Sequence, residues 1–111
     1  MLDLFTVVWG KMVDTFLEAA LPSLLQQGNL PSATPLLGRY TFYSTPEAAE
    51  AIKGCPTYGA LAELVPVDWE AMRTERAGVY PGMDVTSNVL WQMEKSLARG
   101  SYMLRVDADY L

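Results

Sequence analysis

Hydrophobic positions along the chain follow two periods, interrupted by Pro and Gly. From residue 2 to 21 the polar positions Asp3, Thr6, Gly10, Asp14 and Glu18 recur every three or four residues. That spacing gathers them into one stripe of a helix. Nearly everything else there is apolar, including Leu4, Phe5, Val7, Val8, Trp9, Met12, Phe16 and Leu17. The apolar arc is wider than the face a surface helix buries. Pro22 ends or kinks this helix, and with a further turn to Gln27 it forms a helical N-terminal element over residues 2–27. Residues 29–38 carry Pro31 and Pro35, which disfavour a regular helix and suggest an extended, Pro-containing arm.

Period-two alternation takes over at Arg39–Ser44, where Tyr40 and Phe42 share one face and Arg39, Thr41 and Tyr43 the other. Thr45-Pro46-Glu47 then reads as a helix start: Thr45 caps, Pro46 suits the first helical position, and Glu47 favours the positive end of the dipole. Gly54 closes that helix. Cys55-Pro56-Thr57 opens another to about Val65, and Asp68 caps a third over Trp69–Arg76. Thr86 or Ser87 caps a longer helix to about Arg99, with Val89, Leu90, Met93 and Leu97 as its buried stripe and Trp91 off it. Tyr102, Leu104, Val106, Ala108 and Tyr110 alternate with Met103, Arg105, Asp107, Asp109 and Leu111, a strand with one buried and one wet face. Pairing it with 39–44 gives two strands, which are marginal alone, so a third is expected around 79–85 or from another chain. The expected fold is a small single α+β domain over 1–111. A long N-terminal helix and several short helices pack on a small, mostly antiparallel sheet, and residues 39–111 form the α+β body.

Composition narrows the function. Half of the 111 residues are hydrophobic and 19% are charged, which suits a folded chain rather than a disordered one. Net charge is −5, and the eight basic residues are scattered, so no direct nucleic-acid binding is expected. One cysteine excludes an intramolecular disulfide, and the absence of histidine removes the commonest general base and metal ligand together. Asp3, Lys11, Asp14 and Glu18 interrupt the N-terminal apolar run, so neither a signal peptide nor a membrane span is expected.

Each candidate for chemistry has a plainer explanation. Cys55 stands at a helix start, a position that lowers a thiol pKa, but it also suits a small residue packed in a turn. Asp107 and Asp109 are spaced to hold Mg²⁺ or to discourage strand-edge pairing. Asp68, Glu70 and Glu75 read as a cap and solvated carboxylates. No phosphate-binding Gly loop and no Gly-x-Ser-x-Gly are present. Catalytic, cofactor-binding and metal-binding residues are therefore expected to be none.

The expected role is non-enzymatic: a protein-interaction or assembly subunit that joins copies of itself or a larger complex, such as a small bacteriophage or virion component. The expected location is cytoplasmic or virion, with no membrane or small-molecule partner. Residues 4–21 are either a central core helix or one shared with a neighbour. In the second case the interface residues are Trp9, Phe5, Phe16, Met12, Leu30, Leu36, Leu37 and Trp91. The alternative is a small acidic inhibitor of the phage-encoded type, occluding a basic nucleic-acid-binding surface of a host protein through Asp107, Asp109, Asp84 and Glu75.

Overall fold

The computed structural model describes residues 1–72 and 83–106, without the side chains of 83–87. The chain opens with a strand, β1 (Leu2–Val8). Met12–Thr15 (α1), a π turn over Phe16–Ala20 and Leu21–Leu24 (α2) then follow without a break. The widened turn lies just before Pro22, which has no N–H to continue the regular ladder. Leu30–Ala33 (α3) and a 3₁₀ turn over Thr34–Leu36 lead into β2 (Leu37–Ser44). Next come α4 (Pro46–Lys53), α5 (Pro56–Leu64), β3 (Val67–Ala71), α6 (Met83–Ala98) and β4 (Tyr102–Arg105).

The four strands form one sheet in the order β3-β2-β1-β4, and every pairing is parallel. Parallel crossovers are right-handed, so a chain stepping from β1 to β2 to β3 lays its helices on one face. The return from β3 to β4 must cross on the other. Packing follows this rule. Leu4, Val8, Tyr40 and Phe42 form the main core with Phe16, Leu21, Ile52 and Leu61 from the first five helices. Phe5, Val7 and Tyr43 on the opposite face meet Val89 and Trp91 of α6.

This architecture corrects the expected one. The sheet is all-parallel rather than mostly antiparallel, and residues 2–8 are a strand rather than the start of a long N-terminal helix. The physical reason is burial on both faces. A strand inside a doubly covered sheet is apolar all round, so it lacks the alternation of a half-exposed strand. Asp3 and Thr6, which mark the wet stripe of a helix, are instead fully buried, each hydrogen-bonded to long-range partners through one oxygen. Residues 29–38 hold helical turns where an extended arm was expected. The segment Trp69–Ala71, read as helical, belongs to β3, and Asp68 pairs with Arg39 at 2.9 Å instead of capping a helix. The terminal strand pairs with β1, not with β2. A strand at 79–85 is not formed at 83–85, where α6 begins; 79–82 lie outside the described residues. The strand over Arg39–Ser44 and the helices opened by Thr45 and Cys55 agree with the sequence reading.

Candidate functional site at the carboxyl edge of the sheet

All four strands run the same way, so their carboxyl ends lie along one edge. The chain leaving β1 at that edge turns towards α1 on the first face. Helix α6 covers the second face and joins β4 at the amino edge, and the connection leaving β4 lies outside the described residues. The strand order reverses between β1 and β4, the position at which open parallel sheets bind ligands outside the carboxyl ends of their strands.

Three residues connect β1 to α1. Trp9 is half-buried, against Phe5, Val7 and Tyr43. Gly10 takes a φ of +56°, a left-handed turn conformation that favours glycine. Two short backbone bonds close the turn, Met12 N–H to the Trp9 carbonyl at 3.1 Å and Val13 N–H to the Gly10 carbonyl at 3.3 Å. Lys11 is exposed at the start of α1 and has no ion-pair partner among the described residues.

Beside β1 lies the end of β4. Val106 donates its N–H to the Phe5 carbonyl at 2.9 Å. Its carbonyl accepts from the Thr6 hydroxyl at 2.8 Å, and the Tyr40 hydroxyl donates to Thr6 at 2.6 Å. This buried relay ties the end of β4 to the middle of β1 and β2. Next along the edge, a cavity of about 250 Å³ opens between α1 and α4, lined by Gly10, Asp14, Thr45 and Glu47 among others. Thr45 caps α4 there, accepting from Ala48 N–H at 3.3 Å. Around this concave ground the edge offers the Lys11 ammonium, the half-buried Trp9 indole and the carboxylates of Asp14 and Glu47.

Of the residues expected at an interface, Phe5, Phe16, Leu30 and Leu37 are buried within this chain, Trp9, Met12 and Trp91 are half-buried, and Leu36 is exposed. Trp91 donates its indole N–H to Glu70 at 3.0 Å. Only Trp9 and Met12 lie near the carboxyl edge. Cys55 precedes α5, and hydrogen bonds from the backbone N–H and hydroxyl of Thr57 hold its thiol below the ordinary range. No group of three or more His, Cys, Asp or Glu side chains gathers as a metal site among the described residues. Asp107, Asp109 and Glu75 lie outside the described residues, as does the side chain of Asp84, so the acidic face they would form has no structural description. Among the described residues no helix is long and apolar enough to cross a membrane.

Sequence reasoning passed over Gly10 and Lys11, having placed both inside a helix. The signal that marks them is the β-branched pair Val7-Val8 ending at a glycine, as a buried strand ends at a turn. Comparison of the chain with protein-family models, with curated proteins and with solved structures gives no match.

Proposed function

We propose that this chain is a binding domain whose carboxyl sheet edge holds a small ligand outside the ends of β1 and β4. The observation that carries this reading is the strand order, which places a topological switch point between those strands. Ligands of open parallel sheets bind outside the carboxyl ends of the strands at such a point. The side chains at the edge suggest the ligand's chemistry. Lys11 favours an anionic group, and the half-buried indole of Trp9 favours a flat ring. A ligand combining both, as a nucleotide does, suits the pair. This reading departs from the expectation of no small-molecule partner and assigns no reaction.

The test is titration of the full chain with a panel of purine and pyrimidine nucleoside diphosphates, followed by tryptophan fluorescence and amide chemical shifts. Expected are saturable shifts at Trp9, Gly10, Lys11 and Val106. Lys11→Glu should weaken binding by about tenfold or more, equivalent to about 1.4 kcal/mol. No shift at this edge at millimolar nucleotide would remove the reading.

A further inference from the structure

Helix α6 is built the wrong way round for a helix with only one neighbour. Its fully buried stripe is polar: Asn88, Gln92 and Ser96, one turn apart. Its apolar residues Leu90, Met93 and Leu97 are exposed, Leu97 at 72%. Successive residues turn about 100° around a helix. With Gln92 facing the sheet, Trp91 and Lys95 fall on one flank and Met93 and Leu97 on the other. Trp91 and Lys95 both bond Glu70 of β3, so their flank points along the sheet towards β3. The apolar flank therefore points the opposite way, past β4.

On that side β4 is the edge strand among the described residues. The N–H groups of Tyr102 and Val106 bond back to β1, so alternation turns the Met103 N–H outward. Tyr102 and Leu104 share the first face and are 81% and 51% exposed. Beside them a groove of about 410 Å³ is lined by Leu24, Leu30 and Leu104 among others.

We propose that this edge is the seam of a homodimer, with β4 pairing antiparallel to β4 of a second copy about a two-fold axis at Met103. Three features select a second copy as the occupant. The register sets Tyr102 of each chain opposite Leu104 of the other, so each exposed apolar residue covers its counterpart beside the Leu24–Leu30 groove. The same register keeps the two Arg105 side chains at opposite ends of the pairing. Spacing is the third. Strands lie about 4.8 Å apart and α6 packs on both β1 and β4, so the two α6 axes come about 10 Å apart, the distance at which helices pack. One two-fold axis thus covers the strand edge and the apolar flank together.

The test is sedimentation equilibrium of the full chain from about 1 to 300 μM, with Tyr102→Glu and Leu97→Glu, both at exposed positions, and Leu36→Glu as a control away from the seam. A dimer is expected for the parent and the control. Either seam variant should weaken association at least tenfold while leaving the circular dichroism spectrum unchanged. A parent that stays monomeric throughout overturns the proposal. So does a dimer that both seam variants leave intact, or one that the Leu36 control disrupts equally.

Discussion

Tyr40 shows what a single buried hydroxyl does in this core. Its ring is fully buried and stacks on Phe42 at 4.5 Å, while its hydroxyl reaches Thr6. Burial pushes its ionisation well above the ordinary tyrosine range, because desolvation disfavours the phenolate; the Thr6 hydrogen bond acts weakly the other way. Folded Tyr40 therefore keeps its proton at a pH where the unfolded chain loses it. Its contribution to stability is complete below about pH 10 and falls as pH rises beyond, by about 1.4 kcal/mol per pH unit. Melting temperatures between pH 8 and 11.5 should decline steeply for the parent and less steeply for Tyr40→Phe. Parallel declines would show that Tyr40 ionises freely in the fold. Asp3 is the second informative residue. One of its carboxylate oxygens accepts from Ser96 at 3.1 Å and Arg99 at 3.0 Å, and the other is buried without a partner among the described residues. That second oxygen lies 2.7 Å from where a side chain at Gly38 would begin, so the close approach of β2 to this carboxylate requires glycine.

Among the elements, α6 departs furthest from its sequence pattern. Periodicity correctly predicts a helix there, but the stripe Val89, Leu90, Met93 and Leu97 is not the buried one: Leu90, Met93 and Leu97 are exposed and Val89 half-buried. The sheet beneath is polar at the matching places, so a polar stripe fits it better. Tyr43 donates to Gln92 Oε1 at 2.6 Å, Gln92 Nε2 donates to Ser96 at 3.0 Å, and Ser96 donates to Asp3. Every link is buried, and low local polarity makes a broken link costly. Gln92→Leu withdraws the acceptor used by Tyr43 and the donor to Ser96. It should cost about 1–3 kcal/mol in urea unfolding. Adding Tyr43→Phe should recover part of that loss, since removing both partners is cheaper than removing one. A purely additive double variant would show that the two residues are not coupled.

For the whole molecule, protection should follow position in the sheet. β1 and β2 are covered on both faces and paired on both sides, whereas β3 and β4 each have one neighbour among the described residues. Amides of β1 and β2 should exchange with deuterium only through global opening. Those of β3 and β4 should exchange faster, by local fraying. Uniform protection across all four strands would contradict this layering. If the β4 seam forms, β4 should become more protected as protein concentration rises, a change that β3 should not share.

Local chemistry made much of this chain legible. Thr45-Pro46-Glu47 specifies a helix start wherever it sits, Cys55-Pro56 does the same, and Tyr40 and Phe42 alternate onto one face because a strand's pleat demands it. The absence of histidine and the single cysteine bounded the chemistry before any fold was known. Tertiary structure alone decided the rest. An apolar run buried on both faces reads the same as a broad helix, so β1 was hidden until its neighbours β2 and β4 were in place. Parallel pairing leaves no local mark, because its partners are brought together by crossovers rather than by a tight turn. The reversal of strand order between β1 and β4 and the outward flank of α6 are likewise decided by the assembled sheet. Neither is written in any one segment, and both follow once β4 takes its place beside β1.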